Sequence, residues 1–175
     1  MYNISNLLVQ IKINSFGTVA MAGITAYGKL DAFIYMPMAA LSLAISTFVG
    51  QNIGAGRYDR MKKAIRVSLV ISILCVWFLC AVILVFFEPL MHIFTDDPQA
   101  IAFGREMMGF LFPAVWLYSF VDVFSGAIRG AGQAVPVTVI SALTICVFRI
   151  IWLEVLLHIV NDIRVVFLCY PVSWI

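Results

Sequence analysis

The chain has 175 residues, 63% hydrophobic and 11% charged, with a mean hydropathy of +1.05 and a formal net charge of +2. Soluble domains are nearer half apolar and a quarter charged, so this composition excludes a water-soluble globular domain and makes lipid the solvent for much of the surface. The small net charge and the lack of a long basic run give no basis for nucleic-acid binding.

Length and composition predict an all-α integral membrane protein with about six transmembrane helices of roughly 20 residues each. The first span, residues 1–22, is weak because it carries Gln10, Lys12 and Asn14. Gln10 and Asn14 are four apart on one helical face, suited to lining a cavity or to bonding a neighbouring helix. Lys12 can snorkel or face water. Lys29 and Asp31 then fall between spans, as ordinary charges near the outer mouth. The second span is residues 32–49, with Pro37 near its start. The third, residues 67–87, follows Lys62, Lys63 and Arg66 and ends at Glu88-Pro89. The fourth, residues 107–128, is broken only by Asp122, and Pro113 can kink it. The fifth, residues 135–159, places Pro136 in its first turn and is interrupted by Arg149 and Glu154. The sixth, residues 165–175, stops partway through its apolar run, so it reads as incomplete. Both edges read as cuts through a longer protein.

Charge asymmetry predicts the orientation. Arg57, Arg60, Lys62, Lys63 and Arg66 crowd one connection, Arg129 stands in another, and Glu88, Asp96 and Asp97 mark the one between. Basic connections stay cytoplasmic, which puts residues 50–66 and 129–133 inside and residues 89–98 outside. Cys75, Cys80, Cys146 and Cys169 all lie in apolar stretches without metal-ligand spacing, so neither a disulfide framework nor a metal site is expected. No HExxH or GxSxG pattern occurs, and no enzyme is expected.

An ionisable group inside a span is by default a functional hypothesis, because inserting it costs roughly 2.5–3.5 kcal/mol. Asp122 is the main candidate. It lies one helical turn from both Tyr118 and Gly126. Two alternatives stand: a carboxylate on an ion pathway, or an acid satisfied by neighbouring helices beside a water-filled cleft. Tyr35 and Tyr118 lie in aromatic-rich spans whose faces suit cation–π contact with an organic cation.

The segment Phe48-Val-Gly-Gln-Asn-Ile-Gly-Ala-Gly-Arg-Tyr58 resembles a signature of the multidrug and toxic compound extrusion family. Ala26-Tyr-Gly, Tyr35-Met-Pro-Met38 and Ala44-Ile-Ser-Thr47 precede it in that family's order, and Gly126-Ala-Ile-Arg-Gly-Ala-Gly132 follows at the fitting distance. The resemblance covers essentially the whole chain. It implies one lobe of a twelve-helix, two-lobe transporter, helices seven to twelve, whose partner is the N-terminal lobe of the same polypeptide. It also implies export of small organic cations or drugs across the cytoplasmic membrane in exchange for H+ or Na+, with no cofactor beyond that ion. Counting back from Arg129-Gly130, the resemblance implies a coupling acid, as in some branches of the family, near Tyr118, a turn from Asp122. The alternative, a related flippase for lipid-linked saccharides, calls for several basic residues to hold phosphates. Here Lys12 is the basic candidate deep in a span, with Arg149 nearer an end.

The motif has a physical rationale. Gly50, Gly54 and Gly56 lack Cβ, which allows a sharp turn and close approach to a neighbouring helix. Gln51 and Asn52 are expected to satisfy free helix-end groups. Arg129 and Gly130 mark the second such cytoplasmic connection.

Overall fold

The computed structural model describes residues 9–11, 13–14, 17–159 and 162–174, and among these the backbone forms helices and turns with no strand. Lys12 lies outside the described residues. Helix α1, Thr18–Gly54, has 37 residues. At 1.5 Å per residue it is about 55 Å long, well beyond the roughly 30 Å hydrocarbon core. It runs unbroken through residues 22–32, where the sequence suggested a connection around Lys29 and Asp31. Two charges interrupt the hydropathy there, but no proline does, and the two glycines are carried within the helix. Gly23, Tyr27, Leu30 and Ile34 are all buried at helical spacing. The break falls earlier, at Gly17, whose φ of 106° suits glycine alone. Pro37 is accommodated inside the helix.

Helix α2, Tyr58–Val85, carries Asp59 in its first turn, where the helix dipole favours an acid. The short α3, Phe87–His92, precedes α4, Pro98–Leu111. The start of α4 follows from its cap: Asp97 accepts a hydrogen bond from the Gln99 amide at 2.8 Å, and Pro98 takes the first position. Much of the segment expected as an outer loop is therefore helical. Helix α5, Val115–Gly130, follows a break at residues 112–114 that includes Pro113, and the two axes differ by 60°. Helix α6, Ala134–Ser141, passes through a π-helical turn, Ala142–Val147, into α7, Phe148–Ile159. Within that turn the Thr144 hydroxyl donates to the Ile140 carbonyl at 2.9 Å. Helix α8, Ile163–Val172, is capped by Asp162, which accepts from the Arg164 amide at 2.9 Å.

Three helical stretches among the described residues are long and apolar enough to cross a membrane: Thr18–Gly54, Tyr58–Val85 and Ala134–Leu156. The bent pair α4–α5 makes a fourth if it counts as one crossing. The molecule is an all-α membrane protein. Trp77, Phe78 and Leu84 of α2 and Val135 and Ile140 of α6 are well exposed, as side chains solvated by lipid tails would be. Helix α1 is the central element and packs against α2, α4 and α5. Tyr27, Ile34 and Met38 from α1, Met91 from α3, and Leu111 and Val115 at the α4–α5 bend form the inner layer of the core.

Candidate functional site

Two arrangements between α1 and α5 gather the residues singled out by the sequence. The first is a seam at the ends of both helices, next to the basic connections. Ser42, Ser46 and Gly50 lie four apart on α1, and Gly126 and Gly130 lie four apart on α5, the small-residue spacing that lets backbones touch. A Cβ on Gly126 would come within 2.5 Å of the Ser42 carbonyl oxygen. One on Gly130 would strike the Ser46 carbonyl, and one on Gly50 would reach 3.1 Å from the Gly130 carbonyl. The two glycine-containing segments of the sequence are thus one contact, each supplying the space the other fills.

A small polar cluster caps this seam. The Ser42 hydroxyl donates to the Asp122 carbonyl oxygen at 2.8 Å and accepts from Arg129 Nη2 at 2.9 Å. Arg129 lies close enough to act electrostatically on the Asp122 carboxylate. Asp122 Oδ2 is buried and has no hydrogen-bond partner among the described residues. Asp122 therefore sits at the closed end of the helix pair, partly buried, beside an arginine.

The rest of the motif divides. Asn52 is buried, but its side-chain amide donates to the Phe48 carbonyl at 2.8 Å within its own helix rather than to a helix end. The helix end is closed by backbone groups instead, with the Arg57 amide donating to the Asn52 carbonyl at 2.8 Å. Gln51 is exposed. Gly54 and Gly56 have open space around them, and Gly56 earns its place through a φ of 67°. So the physical roles expected of the glycines separate into close packing at Gly50 and Gly130 and turning at Gly56.

The second arrangement is a cleft farther along the same helix pair, of about 570 Å³. Asp31 and Tyr35 enter it from α1, Tyr118 from α5, Arg149 from α7, and Tyr170 and Trp174 from the last segment. The Tyr35 and Tyr118 rings meet edge to face at 5.2 Å and 85°. Tyr118 and Trp174 follow at 5.6 Å. Arg149 is only 4% exposed. Its Nη2 donates to Ser173 Oγ at 3.0 Å, and its guanidinium lies 4.4 Å from the Tyr170 ring centroid.

Tyr35 and Tyr118 are therefore brought together, while Asp122 stands apart from them at the seam. Gln10 and Asn14 are exposed and do not line the cleft. Asp31, expected as an interface charge, is a cleft residue, and so is Arg149. The signal for Asp31 was its spacing: Tyr27, Asp31 and Tyr35 lie four apart on one continuous helix face. The hydropathy dip at Lys29 masks that continuity. Of the two charges, Lys29 turns elsewhere, its ammonium 4.9 Å from the Phe94 ring centroid.

The MatE family profile matches residues 1–153. The chain is 30% identical over 140 residues to the probable multidrug resistance protein YpnP of Bacillus subtilis, covering 78% of this chain and 31% of that one. It is 25% identical over 143 residues to the probable multidrug resistance protein YoeA of the same organism, covering 82% and 31%. With the probable multidrug resistance protein NorM of Thermotoga maritima it shares 27% over 154 residues, covering 84% and 33%. The chain thus spans about a third of the length of each of these relatives.

Proposed function

The chain belongs to the multidrug and toxic compound extrusion family, a family of membrane transporters and not of enzymes, and from that premise we propose that the protein is a secondary active exporter. Organic cations or drugs leave across the cytoplasmic membrane while H+ or Na+ enters. This chain forms one lobe, and its partners are the N-terminal lobe of the same polypeptide, the surrounding lipid and the transported cation. The coupling ion is the only cofactor the scheme requires.

The observation that carries this is the cleft. It joins a carboxylate to several aromatic rings within a lipid-solvated helix bundle, the chemistry that accepts an amphipathic cation. The seam supports the coupling half of the proposal. Asp122 Oδ2 is buried without a hydrogen-bond partner among the described residues, so an ion can supply what the side chain lacks. The names of the relatives point to drug resistance, in keeping with export.

The test is to reconstitute the full-length protein in vesicles and follow efflux of a fluorescent organic cation under an imposed pH gradient, then a Na+ gradient. Efflux is expected to follow one gradient. Asp122→Asn is expected to reduce that gradient-driven rate by about tenfold, the scale of one lost charge-assisted interaction. Correctly inserted protein that exports under neither gradient overturns the proposal.

A further inference from the structure

The cleft and the seam place their acids in different settings. Along α1, Asp31 and Ser42 are eleven residues apart, about 16 Å of helix rise, so the Asp31 carboxylate and the Asp122 cluster are separate sites. Tyr27 is fully buried and donates its hydroxyl to Asp31 Oδ1 at 3.3 Å. That single neutral bond uses a small part of a carboxylate's acceptor capacity, which is about four lone-pair sites. Asp31 also lines the cleft, and so do the neighbouring Tyr35 and Tyr118 rings. A carboxylate in a low-dielectric wall gains most from a cation, and aromatic faces add to the same preference.

We propose that Asp31 is the anionic anchor of a binding site for a monovalent organic cation, with Tyr35 and Tyr118 receiving the apolar body of the ligand. This rests on the export proposal and names its cation site. The cleft volume of about 570 Å³ falls in the range of small-molecule pockets, roughly 300–1,000 Å³. Arg149 sets the charge limit. Its guanidinium is held in the same cleft by Ser173 and the Tyr170 ring. A second positive charge on the ligand would be brought toward it, and like charges repel strongly at low dielectric. The site therefore selects one positive charge on an apolar frame.

The experiment measures equilibrium binding of radiolabelled tetraphenylphosphonium to the purified full-length protein. Asp31→Asn is expected to weaken binding by about tenfold or more, and Asp31→Glu to recover most of it. Glu88→Gln, at an exposed ion pair outside the cleft, is expected to stay within about twofold of the parent. A bis-quaternary ammonium compound should compete at least about tenfold more weakly than a singly charged one of matched size. If Asp31→Asn does not yield folded protein, Met36→Lys replaces it. Met36 lines the same cleft and is 67% exposed, so a lysine there adds an ammonium without displacing the core, and the same loss is expected. Unchanged binding in either variant overturns the site and leaves export standing. Parent protein that binds the probe at Asp31 but exports under no gradient overturns export and leaves the site standing.

Discussion

One pair of helices, α1 and α5, makes both a closed seam and an open cleft, and the two regions differ chiefly in side-chain size. At the seam, Ser42, Ser46 and Gly50 face Gly126 and Gly130, and the backbones touch. At the cleft, Tyr35 and Tyr118 face each other with ring centroids 5.2 Å apart. A 60° bend at residues 112–114 precedes α5. In the proposed two-lobe transporter, each lobe must hold together as a body while presenting a cavity. Here small residues hold one end shut and aromatic residues prop the other open.

Replacing the small residues is the strongest way to break this contrast. Gly130→Ala puts a methyl group into the Ser46 carbonyl, a backbone atom that cannot rotate away. Overpacking of this kind destabilises by about 1–3 kcal/mol, and Gly130→Leu by more. The expected result is a clear drop in the thermal midpoint of the purified full-length protein for Gly130→Ala and loss of monodisperse protein for Gly130→Leu. Gly54→Ala is the matched control from the same motif. It has open space and an ordinary helical backbone, so it should be neutral or slightly stabilising, by up to about 1 kcal/mol. Equal effects at both positions would mean that the glycines act through backbone freedom and not through the seam.

The contrast also explains what the sequence could reveal. One side of the seam was legible, because a glycine at position 50 allows close approach to a neighbouring helix, whereas the matching role of Gly126 and Gly130 follows only from the structure. That Gly50 and Gly130 meet each other was not legible, since the spacing within each helix says nothing of the partner. The cleft was harder to see for a different reason. Tyr, Asp and Arg have many uses in a membrane helix, and their role depends on which faces converge. Hydropathy dips at Lys29 and Asp31 and so reads as a connection, whereas the helix continues there, with no proline between Gly17 and Asp31 to stop it. Asp122 stood out because it is alone in an apolar run. The structure sets it beside Ser42 and Arg129, two residues whose approach depends on the crossing of α1 and α5. The helical start at Pro98 was present in the Asp97-Pro98 cap signature, but the charges around it suggested a loop.

The aromatic side of the comparison predicts an intermediate effect. Tyr35→Leu removes a ring that lines the cleft and keeps a similar apolar bulk. A cation–π contact contributes about 0.5–1 kcal/mol when partly exposed, which corresponds to roughly two- to fivefold in affinity. Tyr35→Phe keeps the ring and should bind tetraphenylphosphonium nearly as the parent does. A loss in Tyr35→Phe equal to that in Tyr35→Leu would shift the role from the ring to the hydroxyl.

The smallest effect is expected at the charged end of the molecule. Arg105 pairs with Glu88 across α3 and α4 at 2.5 Å, and both side chains are more than half exposed. Exposed pairs contribute about 0–1 kcal/mol, because water and salt screen them and two long side chains must be held still. The same region has a stronger tie in Gly23 and Gly104, where α1 and α4 approach so closely that a Cβ on Gly23 would strike the Ala100 carbonyl. Glu88→Gln should therefore move the thermal midpoint by less than about 2 °C. Gly23→Val should destabilise far more, in the manner of Gly130. If Glu88→Gln were the more damaging of the two, charge pairing would be what holds α3 and α4 at that end, and steric closure would be confined to the α1–α5 seam. The expected order, with Gly23 ahead of Glu88, makes glycine contact the common joint at both ends of α1, leaving the cleft between them as the part free to take a ligand.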